Sequence, residues 1–253
     1  MEKHIQTEFA RQANQMAVAA AFHAEPVLEW LVRAVGAAAR NRALDLACGP
    51  GIVAEVIAPR VREVVGLDVT PEMIRLAHDR LEKAQLTNAY FSVASVEALP
   101  FKENEFDQVI TRLSLHHFHD VAAVLSEVRR VLRPGGDLII ADVVSPEDAD
   151  ESALHNSLEQ LRDPTHVRMF APAELLEIIH VAGFSLVSEE EWEQQRSFLE
   201  WAQIIANPAR TDPLQNAMRA LARAGQGAGI ALREEAGQLF FTHRWRLVVA
   251  KAN

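Results

Sequence analysis

The sequence predicts an α/β protein built on a mostly parallel sheet with helices on both faces. Two observations carry this. Strand-like and helix-like segments alternate from residue 26 to about residue 142, and the strand-like ones are short, apolar and bounded by turn residues. A βαβ rhythm implies parallel strands joined by right-handed crossovers. Uninterrupted apolar strands are those covered on both faces.

The elements follow in order. Pro26 suits the first turn of a helix that runs to about Ala39. Residues 43–47 read as the first strand, 53–58 as a short helix and 63–67 as the second strand. Pro71 opens a helix over 71–84, and 89–94 and 106–111 are the third and fourth strands. Asp120 is placed to cap a helix over 121–132, which Pro134-Gly135-Gly136 stops. Residues 137–142 form the fifth strand. The rhythm then changes. Helices are expected over 149–161 and 172–182, the second closed by Gly183, with strand character at 184–190 and 239–250. Between those strands, 198–235 reads as helical with breaks at Asn207-Pro208 and Gly225–Gly229. An insertion of this length is either a lid or packing for the sheet edge.

Composition narrows the function classes. Of 253 residues, 49% are hydrophobic, ample for a sizeable core, yet no run approaches a membrane span. Glu2, Lys3, His4 and Glu8 are not the start of a secretory signal. The one cysteine, Cys48, excludes an internal disulfide and fits a reducing cytoplasm. A net charge of −10 argues against nucleic acid and anionic membranes as partners. The small basic clusters at 60–62 and 129–133 read as solvated surface. Oligomeric state is not legible.

Two places carry binding chemistry. Gly49-Pro50-Gly51 directly follows the first strand, where glycines let a ligand approach the backbone and where open α/β sheets bind ligands. Asp68 ends the second strand, about 20 residues past the first glycine, where a carboxylate can accept both hydroxyls of a ribose. Capping the helix at Pro71 is its alternative or additional role. Both features suit NAD as well as another nucleoside. Pro50, however, removes one backbone N–H that a diphosphate would use, and Ala54 stands where the third glycine of the dinucleotide fingerprint belongs.

The residues 43–51 (Ala-Leu-Asp-Leu-Ala-Cys-Gly-Pro-Gly) resemble the glycine motif of class I methyltransferases, and 65–73 resemble their second motif. Ala98-Leu-Pro-Phe101 with Phe106-Asp107, and Val131-Leu-Arg-Pro-Gly-Gly136, are similar to later motifs of the UbiE/type-11 group. The resemblance covers about 40–145. It implies a Rossmann-like seven-stranded sheet with the last strand antiparallel, and S-adenosylmethionine as cofactor. It further implies one methyltransferase domain over 1–253: an N-terminal helical cover (1–40), a cofactor-binding core (41–145) and substrate-side helices with closing strands (146–253). By position, Asp45, Ala47, Gly49 and Gly51 face the methionine end, Asp68 the ribose, and Val69 and Met73 the adenine. Ser95 stands where the group usually has an aspartate for the adenine amine, and Val96 offers a backbone N–H. Arg112 and Leu113 line the methionine portion. Phe9–Ala13 is similar to a segment that covers the cofactor, with Met16 where a tyrosine is expected. The expected activity is methyl transfer to a small molecule. The alternatives are an NAD(P)-dependent oxidoreductase and a non-catalytic S-adenosylmethionine-binding protein.

A sulfonium methyl group is already activated, so such an enzyme must mainly align the acceptor and exclude water; a base helps only when the acceptor carries a proton. His116 and His117, after the fourth strand, are base candidates by type and place, and His117 is also a candidate cofactor contact. Asp142, ending the fifth strand, is a candidate to orient a histidine, bind substrate or cap the next turn. His119 beside Asp120 reads as surface, and no metal site is expected. His166 and Arg168 are candidate substrate contacts from a loop. Phe241, His243 and Trp245 share one strand face and read as sheet packing.

Overall fold

A computed structural model describes residues 2–36 and 38–253. Helices α1 (Glu2–Val18) and α2 (Glu25–Val35) come first, α2 ending at Gly36 with φ of 68°. This is short of the expected Ala39, because strand β1 (Ala38–Leu46) takes over; residue 37 lies outside the described residues. Then follow α3 (Ile52–Ile57), β2 (Val61–Asp68), α4 (Pro71–Lys83), β3 (Ala89–Val93), β4 (Phe106–Arg112), α5 (Val121–Val131) and β5 (Leu132–Val144). The Asp120 carboxylate accepts from Ala123 N at 2.9 Å, capping α5 as its position predicts. Pro134-Gly135-Gly136 does end that helix but lies inside β5, against a register shift opposite Phe106–Gln108.

The second part of the chain adds α6 (Ala149–Arg162), α7 (Pro172–Val181), β6 (Phe184–Ser197), α8 (Phe198–Ile205), α9 (Pro208–Arg223), β7 (Arg233–Glu235) and β8 (Gln238–Ala252). Asp148 caps α6 by accepting from Asp150 N and Glu151 N, both at 3.0 Å. Strand β6 runs seven residues past the expected end, because the acidic stretch Glu189–Glu193 hides an edge strand whose side chains face water.

The strands order as β3-β2-β1-β4-β5-β8-β6, with β1 to β5 parallel and β8 antiparallel to both neighbours. Short β7 makes an eighth strand where seven were expected. It pairs with β8 on the side that β5 vacates beyond Val144, because 15-residue β8 outruns its partner. Strand order reverses between β1 and β4, so a crevice opens above their carboxyl ends, where open α/β sheets bind ligands.

Three apolar clusters hold this frame. Leu44, Phe106, Val128, Leu138 and Phe184 belong to the cluster that seats α5 and α7 on one face. Val27, Leu31, Ile57, Ile110 and Trp245 belong to the cluster under α2 and α3 on the other. Phe198, Trp201, Leu214, Met218 and Phe241 fasten the 198–235 insertion to α6 and the far end of β8. That insertion also meets the N-terminal helix, where Arg11 donates to the Ile205 carbonyl. Among the described residues, no helix is long and apolar enough to cross a membrane.

Candidate active site

At the reversal point the backbone leaves β1 and β4 through residues held in an uncommon conformation. Ala47 has φ of 56° and Leu113 φ of 53°, both in the left-handed region that side chains disfavour. The glycine turn adds Gly49 (φ 51°) and Gly51 (φ 78°), and a Cβ on Gly51 would approach Ala77 Cβ to 3.0 Å. Glycine is therefore required where α3 passes α4. Arg80 ties the turn down, donating to the Pro50 carbonyl at 2.9 Å, the Ala17 carbonyl at 3.0 Å and the Glu55 carboxylate at 2.8 Å.

A cavity with about 1190 Å³ of empty space, counting its mouth, opens over this turn. It is lined by Asp45, Ala47, Gly49, Asp68, Val69, Met73, Ser95, Val96, Arg112, Leu113 and His117, all singled out by sequence. Gly51 shapes the turn beneath it. Helix α1 and the turn after it form the roof, with Ile5, Phe9, Met16 and Phe22 among the lining residues. Gln6 Nε2 donates to the Val69 carbonyl at 3.1 Å and Arg112 to the Phe22 carbonyl at 2.7 Å, which fix the roof at both ends. Glu97 also lines the cavity, a residue sequence reasoning passed over although it adjoins Ser95 and Val96.

Part of the turn offers no donor to a phosphate. Gly49 N donates to Asp68 Oδ2 (2.9 Å), Gly51 N to the Cys48 carbonyl (3.1 Å), Ala54 N to Asp45 Oδ2 (3.1 Å), and Pro50 has no N–H. Gly49, Gly51 and Ala54 thus have their N–H groups engaged, and Pro50 has none to offer a diphosphate. Asp45, Asp68 and Glu97 face the same space against the cation Arg112. Burial raises the Asp45 carboxyl from 3.8 to about 7, although Ala54 N and Arg112 pull it down. Burial also raises Asp68, against hydrogen bonds from Thr70 N and Gly49 N. Asp68 Oδ1 accepts from Thr70 N at 2.9 Å, so it anchors the start of α4 as well as lining the cavity. Acidic groups held above their ordinary pKa gain when a cation arrives, and the fit is to a positively charged nucleoside.

A second cavity, about 610 Å³ with its mouth, adjoins the first through the shared residues Phe9, Met16, Phe22, Leu113 and His117. His116 lines it. Its Nδ1 donates to Asp142 Oδ1 at 2.7 Å, while Asp142 Oδ2 accepts from Ser114 N and Leu115 N. Burial lowers His116, but the Asp142 charge and hydrogen bond more than reverse it, so the ring titrates above its ordinary value. Asp142 is buried and is not among the residues lining either cavity; it orients His116 and holds the turn through Ser114 N and Leu115 N. His117 is pushed down to about 4 by burial and by His116. Its Nδ1 donates to the Thr165 carbonyl at 3.0 Å, and Phe9 stacks edge-on at 5.0 Å.

The loop after α6 returns here because Val167 N and Arg168 N both donate to the His116 carbonyl. His166 therefore lies 5.5 Å from the His116 ring, lines the second cavity and is lowered to about 3 by burial. Arg168 is corrected: it is exposed, paired with Glu174 at 2.6 Å and stacked on Phe170, because the side chain points outward from a loop whose backbone faces in. Sequence reasoning missed Glu159, Arg162, Asp163 and Arg196 and treated His243 as sheet packing, yet all five line the second cavity. His243 Nε2 donates to Glu159 Oε1 at 3.0 Å, and Arg162 holds the same carboxylate at 3.0 Å. Ligand atoms of His155, Glu159 and His243 lie within 4.8 Å of one another, a spacing open to a metal ion that no residue spacing had suggested.

Fold and cavities together define a nucleoside-binding α/β protein whose acidic first pocket suits a cationic ligand. Residues 44–140 match the family model described as a methyltransferase domain. An uncharacterised methyltransferase of Bacillus subtilis, YcgJ, is 29% identical over 81% of this chain and 81% of its own. The crystal structure of YcgJ superposes with a TM-score of 0.84 at 26% identity, covering 90% of this chain and 98% of that one. A demethylmenaquinone methyltransferase of Listeria monocytogenes is 30% identical over 57% of this chain and 70% of its own. The chain belongs to this methyltransferase family; it is an S-adenosylmethionine-dependent enzyme, and the oxidoreductase reading is set aside.

Proposed function

We propose that the protein methylates a small molecule held in the second cavity, with His116 as general base. The observation that carries this is the shared wall. Leu113 and His117 border both cavities, so an acceptor in the second abuts the cofactor space in the first. Bound there, S-adenosylmethionine supplies a methyl group on a sulfonium, ready for in-line displacement. Asp68 accepts the ribose hydroxyls, Ser95, Val96 and Glu97 meet the adenine edge, and Met73 and Val69 flank the ring. Asp45 faces the cationic amino-acid end beside Ala47, Gly49, Gly51, Arg112 and Leu113.

On the acceptor side, the Asp142 bond commits the His116 Nδ1 proton, which leaves Nε2 as the basic atom. It takes the proton of an acceptor hydroxyl or amine as the nucleophile commits to the methyl group, and Asp142 stabilises the resulting imidazolium. His117, held neutral, packs between the two spaces. His166 donates to Asn156 Oδ1 and shapes the wall without carrying charge. The apolar roof excludes water. This reading places the protein in the cytoplasm, consistent with its one unpaired thiol.

The test is calorimetry with S-adenosylhomocysteine, followed by a panel of hydroxylated and aminated small molecules in which S-adenosylhomocysteine formation is read. Binding with turnover on the panel, and at least a hundredfold loss in His116→Ala, supports the reading. Binding without turnover on any acceptor favours the non-catalytic alternative.

A further inference from the structure

The second cavity is lined by a buried arginine whose hydrogen-bonding capacity is unfilled. Arg196, on β6, is 5% exposed, and its Nε and Nη2 have no hydrogen-bond partner among the described residues. No described carboxylate comes within ion-pairing distance of it, although Glu200 and Glu159 act on it from farther away. Glu159 is engaged by Arg162 and His243, and Asp163 by Thr165 Oγ1 at 2.7 Å. A buried guanidinium left in this state is expensive, and proteins keep one where something is to pair with it.

The other unsatisfied groups point the same way. The buried polar atoms without partners on residues lining this cavity are Gln12 Nε2, the Arg196 nitrogens, Trp201 Nε1 and Trp245 Nε1. Every one is an N–H donor, so the residues around this cavity carry donors in excess of acceptors. A metal ion at His155, Glu159 and His243 is disfavoured by the same electrostatics, since Arg162 already holds the carboxylate and Arg196 adds a second positive charge nearby.

We infer that Arg196 binds a carboxylate of the acceptor, and that the substrates of this enzyme are small carboxylic acids with an apolar or aromatic body. The inference rests on the reading of the second cavity as the acceptor site. A planar guanidinium fork matches a carboxylate in two parallel hydrogen bonds. A single negative charge beside Glu159 and Asp163 costs less than a phosphate dianion would. The body of the acid is received by Phe9, Phe22, Trp201 and Trp245. Burial lowers the Arg196 pKa against the pull of Glu200, which is the direction an anion would reverse.

The experiment uses the full chain saturated with S-adenosylhomocysteine. Benzoate and 4-hydroxybenzoate are titrated against benzamide and 4-hydroxybenzamide, with inorganic phosphate as an anion of another shape, and melting temperature and heat are read. The acids are expected to bind at least tenfold more tightly than the amides. Arg196→Met should abolish that preference and leave S-adenosylhomocysteine affinity unchanged, whereas Arg196→Lys should keep part of it. Without ligand, Arg196→Met should melt above the wild type, because it removes an unpaired buried charge. If Arg196→Met does not fold, Arg196→Gln carries the same comparison. The inference is overturned if no acid binds, if amides or phosphate bind as well as the acids, if the variant keeps the preference, or if it melts below the wild type. Failure of S-adenosylhomocysteine to bind would sink the methyltransferase reading instead. Methylation of uncharged panel acceptors, unchanged in Arg196→Met, would leave that reading standing and remove only this one.

Discussion

Replacing Asp45 by Asn isolates the electrostatic design of the cofactor cavity. The carboxyl is 1% exposed and its pKa lies near 7 in place of 3.8, burial being the main cause, Arg112 opposing it and Asp68 adding to it. Stability contributed by the protonated form is fully present below 3.8 and is lost as pH rises through about 7. The ionised form therefore weakens the ligand-free protein by about 4 kcal/mol above neutrality. Asparagine keeps an oxygen for Ala54 N, which Asp45 now binds at 3.1 Å, and has no charge to desolvate. Ligand-free Asp45→Asn should thus melt above the wild type. Between pH 5.5 and pH 8 the gap should widen by about 2 kcal/mol, or about 4–8 °C for a chain of this size. Circular dichroism melts at the two pH values measure it, and calorimetry should show S-adenosylhomocysteine binding weakened at least tenfold. A gap that ignores pH, a variant that melts lower at pH 8, or unchanged affinity would refute the reasoning. A destabilised carboxylate that serves a ligand is the usual trade between stability and function.

Other outcomes follow from the same geometry. Asp68→Ala removes both the proposed ribose acceptor and the partner of Gly49 N, so affinity for S-adenosylmethionine should fall by about tenfold or more per lost hydrogen bond to the charged group, read by calorimetry. The rate with a protonated acceptor should rise with pH through a value above 6.5, because His116 must be deprotonated to act and Asp142, Glu159 and Asp163 raise it against burial, the neighbouring His117 and His166 being neutral there. In Asp142→Asn that rise should move to lower pH and kcat should fall about a hundredfold; a profile unmoved by the substitution would exclude the pair. Gly66→Ala places a Cβ 2.4 Å from Phe91 Cδ1 and should lower stability by roughly 1–3 kcal/mol in denaturant melts, with part regained in Gly66→Ala/Phe91→Ala.

The cofactor half of the site was legible because its residues are local to strand ends. A strand, a glycine turn and a carboxylate after the next strand recur within a short span of chain, and the sheet register brings Asp45 opposite Gly66 and Ile110. The second cavity, the proposed acceptor half, was mostly hidden. Glu159 lies on α6, Arg196 on β6 and His243 on β8, and no spacing in the chain announces that they meet. His243 shares a strand face with Phe241 and Trp245 and so looked like packing, while Arg196 sits at the end of a charged run that resembles solvent-facing surface. Arg168 misled for the opposite reason: its backbone joins the site but its side chain leaves it.

Periodicity and turn chemistry act over a few residues, and they determined the alternation of elements and the place of the crevice, while the resemblance of the motifs picked out most of the residues that line it. Tertiary structure decided which charges are paired. Whether a buried arginine has a partner depends on side chains 37 to 84 positions apart in sequence, such as Glu159, Arg196 and His243. Folding alone sets the distances and the burial that make one pair strong and leave another group without a partner, so the charge pattern of the second cavity is written in the packing.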